Sequence, residues 1–135
     1  IFHGGTPFSL FGSVQGTLDA LDVIEGFGAT VIVPGHGPAF GGEDIARVLN
    51  EQRSYLRFVQ TTAADGVAAG RTPLEQAMAT DLGEFAHWTD TERLAGNLHV
   101  GYRETPDSGH EWPGTEIAIM DMVKFNGGKP PRCVA

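Results

Sequence analysis

The chain has 135 residues, with 17 acidic side chains against nine lysines and arginines, and a formal net charge of −8. Nucleic-acid backbones are bound by clustered lysine and arginine, so this balance argues against a nucleic-acid partner. No apolar run approaches the roughly 18 residues of a membrane span, and the length suits one domain with a sizeable core.

The first part of the chain is predicted to alternate short strands, loops and one helix. Ile1-Phe2 is the expected end of a strand, and residues 3–12 form an expected loop. Apolar residues at near-helical spacing then predict a helix that stops at Gly26-Phe27-Gly28. The β-branched run Thr30–Val33 predicts a buried strand. A helix followed by a strand is half of an α/β layer.

A histidine follows that strand directly, between two glycines and two prolines. Pro34 ends the strand because it has no N–H, and Gly35 and Gly37 leave space beside the imidazole of His36. Ligands bind at this edge of open α/β sheets, so His36 is a candidate metal ligand. A lone histidine in such a loop is more often solvated or part of the core, and zinc needs three or four ligands. The spacing alone leaves both interpretations open.

The rest of the chain is predicted to be helical. A long amphipathic helix begins at Glu43-Asp44, whose acidic first turn suits the helix dipole, and ends between Gly66 and Gly70. Three shorter helices are expected after it: one capped by Thr72 with Pro73 and Glu75 in a capping box, one from Thr89 or Asp90 to about Arg103, and one from Thr115 to Asn126 with Gly127 just beyond its end.

Other polar side chains are weaker candidates for chemistry. His3 lies near the expected strand end and is a candidate substrate contact. Asn97 and His99 are further candidate substrate contacts, but they are two residues apart on one predicted helix, so at most one of them faces a given pocket. Packing is the simpler interpretation for both, as it is for His87 and His110. No recognisable carboxylate pair supports a metal-free mechanism.

The single cysteine, Cys133, cannot form an internal disulfide. A free thiol in a reducing compartment is the simplest interpretation, and no leader segment is visible. The free thiol leads us to expect a cytoplasmic protein.

The histidine loop, Val33-Pro34-Gly35-His36-Gly37-Pro38, resembles the late histidine motif of the metallo-β-lactamase superfamily of metal-dependent hydrolases. The resemblance extends to most of the chain, because three further segments look like the C-terminal region of uncharacterised bacterial members. These segments are Thr72-Pro73-Leu74-Glu75, Gly96-Asn97-Leu98-His99 and Asn126-Gly127-Gly128-Lys129-Pro130.

The resemblance implies an α/β fold, the αββα metallo-β-lactamase sandwich, of which this chain would be the C-terminal half. Residues 1–42 would belong to that sandwich, and residues 43–135 would form a helical extension. The implied cofactor is zinc, two ions in the intact protein, bound in part by His36, although other divalent metals suit one imidazole equally. The implied activity is attack by metal-activated water on a small-molecule ester, thioester, lactone, lactam or phosphodiester.

The departures from the family pattern are as important. A His-x-His-x-Asp-His motif, a further mid-chain histidine and a metal-bridging aspartate are absent, so we expect an N-terminal half to be missing and this chain alone to be inactive. The alternative is a non-catalytic helical module for binding or oligomerisation, or a pseudo-enzyme. Self-association into a homo-oligomer is compatible with either.

Overall fold

The computed structural model describes residues 1–132 and is mostly helical. The described residues contain five α-helices, one 3₁₀ helix and a two-stranded sheet. Their bounds are α1 Val14–Gly26, β1 Val31–Ile32, β2 Phe40–Gly41, α2 Asp44–Ala68, α3 Pro73–Ala79, the 3₁₀ helix Gly83–His87, α4 Arg93–Glu104 and α5 Thr115–Phe125. Cys133, predicted to be a free thiol, lies outside the described residues.

Helices α2 and α4 form the centre of the domain, with α1 against α2 and α5 against α4. Tyr55 and Leu56 of α2 and Leu94 and Leu98 of α4 are completely buried in one continuous apolar core. The two helices approach closely at Gly66, where a Cβ would collide with the ring of Tyr102. Small residues at such a crossing let the apolar faces pack without a gap.

The expected αββα half-sandwich is wrong. Among the described residues the only sheet is β1 paired antiparallel with β2, with Val31 opposite Gly41 and Ile32 opposite Phe40. The strand predicted over residues 30–33 is therefore short, and Val31 and Val33 are exposed rather than buried. A β-branched run favours extended backbone but does not specify its partner, and here the partner is the segment just after the histidine loop.

The helix boundaries follow the sequence signals more closely. The long helix and the last helix were predicted correctly, and Gly127 has φ +66° directly after the end of α5. The start of α4 is a correction, because neither Thr89 nor Asp90 caps it: the residue before its first turn is Glu92, which makes no side-chain capping bond. The Thr89 carbonyl accepts a hydrogen bond from the Thr6 amide at 3.0 Å, and α4 begins only at Arg93. The predicted domain boundary between residues 42 and 43 stays a prediction, although α1, which precedes it, packs against α2, which follows it.

The capping box predicted for α3 is confirmed. The Thr72 hydroxyl accepts from the Glu75 amide at 3.2 Å, and the Glu75 carboxylate accepts from the Thr72 amide at 2.8 Å. These hydrogen bonds lower the pKa of the Glu75 carboxyl, because they favour its ionised form.

We expect Thr72→Ala to lower the free energy of unfolding by about 1 kcal/mol, the usual effect of losing an N-cap hydroxyl. Thr61→Ala, at an exposed position inside α2, is the matched control and should change stability by less than about 0.5 kcal/mol. Urea denaturation of the two variants measures the difference. Equal stability of both variants would mean that the cap contributes nothing to the folded chain.

Candidate functional site

The histidine loop lies beside the first residues of the chain. Phe2 and His36 form a parallel bridge, and the His3 amide donates to the His36 carbonyl at 2.9 Å. The rings of Phe2 and His36 stack face to face, with centroids 4.4 Å apart and planes inclined by 7°. The main chain therefore holds His36 at a fixed position next to His3.

One ring nitrogen of His36 is buried without a hydrogen-bond partner. This atom, Nδ1, has almost no contact with solvent. Its imidazole lines a cavity of about 190 Å³ whose other main residues are Phe2, His3, Thr89, Asp90 and Arg93. Buried polar atoms are nearly always paired in folded proteins, so the unpaired Nδ1 of a residue that borders a cavity is a candidate position for a bound water, ion or ligand.

His3 joins this cavity to a larger cleft. Its Nδ1 lies 2.9 Å from the Pro38 carbonyl oxygen, which can only accept, so Nδ1 carries the proton and Nε2 of the neutral ring has the lone pair. The larger cleft measures about 480 Å³ and also contains Arg47, Ser54 and Trp88. Of the predicted site residues, His3 and His36 are thus brought together by the structure.

A buried ion pair supports the floor of the His36 cavity. Arg93 lies 2.8 Å from Asp90 and donates to the Thr6 carbonyl at 2.8 Å. Its guanidinium also lies over the rings of Phe2 and Phe8, 5.2 and 5.5 Å from their centroids. These contacts tie the N-terminal segment to the start of α4. Sequence reasoning missed Arg93, although its position one helical turn before Asn97 is a usable signal for a buried polar face.

Asn97 is completely buried and bonded within the chain. Its oxygen accepts from the Ser9 amide at 2.9 Å, and its nitrogen donates to the Pro7 carbonyl at 2.8 Å and to the Tyr55 hydroxyl at 3.1 Å. Burial raises the pKa of the Tyr55 phenol, so this hydroxyl is neutral at physiological pH. Asn97 thereby fixes the loop that precedes α1, and a contact with substrate stays a prediction.

His99 lies in a different cavity from His36. That cavity measures about 490 Å³ and is lined by residues from the end of α2, the loop between α2 and α3, the start of α3, α4, α5 and the loop before α5, among them Arg71, Tyr102 and His110. The structure therefore separates His99 from His3 and His36. His87, by contrast, is exposed at the rim of the cleft that His3 enters.

Comparisons with known proteins do not assign this site. No protein-family description matches the chain, and neither a characterised protein nor a solved structure shows significant similarity to it. Within residues 1–132 no group of three histidine, cysteine or carboxylate side chains is placed to hold a metal ion. None of the helices described for this chain is both long and apolar enough to cross a membrane.

Proposed function

We propose that this chain is part of a metal-dependent hydrolase in which His36 is one of the metal ligands. The observation that carries the proposal is the buried His36 Nδ1, which has no hydrogen-bond partner and belongs to a residue that borders a cavity. A buried polar atom left unpaired costs about 1–3 kcal/mol, and a ligand that bonds to it would remove that cost. The resemblance of residues 33–38 to the late histidine motif of the metallo-β-lactamase superfamily supports the same assignment.

The donor chemistry at His36 fits zinc, but the ligand set is incomplete. A neutral imidazole suits Zn²⁺ and several other divalent metals. A catalytic zinc has about three protein ligands, and no group of three is present in residues 1–132. We therefore propose that an N-terminal half of the same protein supplies the other ligands. Bound zinc would lower the pKa of a coordinated water toward neutrality and polarise the scissile bond.

Exposed apolar residues around β1 support a contact with further polypeptide. Phe27, Val31 and Val33 are 75 %, 61 % and 81 % exposed, and the outer edge of β1 has no neighbouring strand in the described part of the chain. An exposed apolar strand edge is a pairing surface that proteins normally cover. It lies next to the histidine loop, where the missing metal ligands are needed.

The cleft at His3 is the proposed place for a small-molecule substrate. It combines the apolar surface of Trp88 with the polar groups of His3, Ser54 and Arg47, and it opens beside the His36 cavity. Arg47 is already paired with Asp44 and Glu51, each at 2.8 Å, so it does not present a free positive charge. The substrate is proposed only by class, as an ester, thioester, lactone, lactam or phosphodiester, and the protein is proposed to be cytoplasmic.

The test is a pair of histidine variants in the longer protein that contains this chain. We expect His36→Ala to lose bound zinc and hydrolysis of ester or lactone reporters together, by at least about tenfold, because a ligand is removed. His87→Ala is the matched control for metal content alone, since His87 is exposed and borders the proposed substrate cleft, and it should keep its bound zinc. Unchanged zinc content and activity in His36→Ala, with folding confirmed by circular dichroism, would overturn the proposal.

The second candidate is a non-catalytic helical module for binding or oligomerisation. It is favoured by the closed core, which the described helices build without any other polypeptide, and by the exposed apolar residues, which a second copy could cover. Sedimentation of the isolated chain distinguishes this candidate. A stable dimer that is broken by Val33→Asp favours the module, whereas non-specific aggregation favours a missing half.

A further inference from the structure

A second cluster of histidines lies where α4 meets α5, outside the site described above. His99 Nε2 is 3.0 Å from an oxygen of Asp121, and His99 Nδ1 is 3.4 Å from His110 Nε2. His99 and Asp121 are buried, and His110 is half-buried at the edge of the cavity of about 490 Å³. No other function of the protein uses these three side chains.

The carboxylate of Asp121 determines which ring nitrogen of His99 is unprotonated. Asp121 can only accept, so the proton of the neutral ring lies on Nε2 and the lone pair lies on Nδ1, facing His110. The other oxygen of Asp121 accepts from the Lys124 ammonium at 2.8 Å, which holds the carboxylate in place. A carboxylate behind a histidine in this way is the usual support of a metal-bound imidazole.

The two imidazoles form a long hydrogen bond, and the separation of their nitrogens also matches a shared metal ion. At 3.4 Å the nitrogens are farther apart than in well-formed N–H hydrogen bonds. A tetrahedral zinc ion with bonds of about 2.0–2.1 Å holds two nitrogen ligands about 3.4 Å apart. Both rings border an open cavity, so water or an anionic oxygen can reach the remaining positions.

We propose that His99 and His110 bind a divalent transition metal of the zinc type, with Asp121 as the positioning residue. The site has two protein ligands and two open positions, so its affinity is lower than that of a closed structural site. Arg71 lies in the same cavity and favours an anionic group as a further ligand. This site is independent of His36, which lines a separate cavity, and does not rest on the proposed hydrolase activity.

The experiment is a titration of the 135-residue chain with zinc chloride, followed by two-bond ¹H–¹⁵N spectra of the histidine rings and by calorimetry. We expect His99 Nδ1 and His110 Nε2 to take up the metal-bound signature at one equivalent. His110→Ala should lower zinc affinity by at least tenfold, while His87→Ala should bind as the parent chain does. Asp121→Asn should lower the affinity about 10–100-fold and change the proton position on His99.

Two results would overturn the proposal. One is a His110 ring that keeps its Nε2 proton at saturating zinc in the unaltered chain, which requires no variant to fold. The other is zinc binding that persists in His110→Ala and disappears in His36→Ala, since that pattern would place the ion at the histidine loop. The His110→Ala and His36→Ala variants also distinguish this proposal from the hydrolase proposal, because the two proposals depend on different histidines.

Discussion

Gly37→Ala is expected to lower the free energy of unfolding by about 2–4 kcal/mol and to displace His36. Gly37 has φ +87°, a backbone conformation that costs a residue with a Cβ about 1–2 kcal/mol. In addition, a Cβ at this position would lie 2.2 Å from the His3 carbonyl oxygen. Main chain rather than a flexible side chain must therefore move, and the hydrogen bond from the His3 amide to the His36 carbonyl would be strained.

Gly35→Ala is the matched control for this prediction. Gly35 lies on the other side of His36, does not have a positive φ, and has no atom within 4 Å of the position of its Cβ. We expect the free energy of unfolding of Gly35→Ala to stay within about 0.5 kcal/mol of that of the parent chain. Urea denaturation gives both values. If the two variants were equally stable, the tight contact between the histidine loop and His3 would not exist in solution.

Asn97→Ala is expected to destabilise the chain by about 3 kcal/mol. The substitution leaves the Ser9 amide, the Pro7 carbonyl and the Tyr55 hydroxyl without their partner in a region that water does not reach. Each buried polar group that loses its hydrogen bond costs about 1–3 kcal/mol, and local relaxation recovers part of the sum. The loop before α1 should also loosen, which faster hydrogen exchange of the Ser9 amide would report.

Asn50→Ala provides the comparison, because Asn50 is also helical but exposed. Asn50→Ala should lower the free energy of unfolding by less than about 0.5 kcal/mol. A loss below about 1 kcal/mol for Asn97→Ala would show that the Asn97 amide does not anchor the loop.

The helical part of the fold could be predicted from local sequence because its signals are local. The apolar spacing along α2 and the Thr72, Pro73 and Glu75 pattern each act over one or a few turns, and both were found in the structure. The sheet could not be predicted in this way. The β-branched run at residues 30–33 favours a strand. Whether that strand pairs with β2 or joins a larger sheet depends on residues outside the run.

The candidate sites were predictable only in part for the same reason. The loop sequence was enough to make His36 a candidate metal ligand. Its closeness to His3 could not be predicted, because it depends on the bridge between Phe2 and His36, which are 34 positions apart. Asn97 and His99 share a helix, yet one is bonded to the loop before α1 and the other to Asp121 on α5. The spacing of the two residues predicted that they face different directions, but it could not name the partners.

Anomalous X-ray scattering at the zinc edge shows directly whether His36 binds a metal ion. The measurement uses crystals, grown with zinc, of the longer protein to which this chain is proposed to belong. We expect an anomalous peak within about 2.0–2.2 Å of a ring nitrogen of His36. A map with zinc bound elsewhere and none at His36 would contradict it, and the unpaired Nδ1 would then be a feature of a non-catalytic loop.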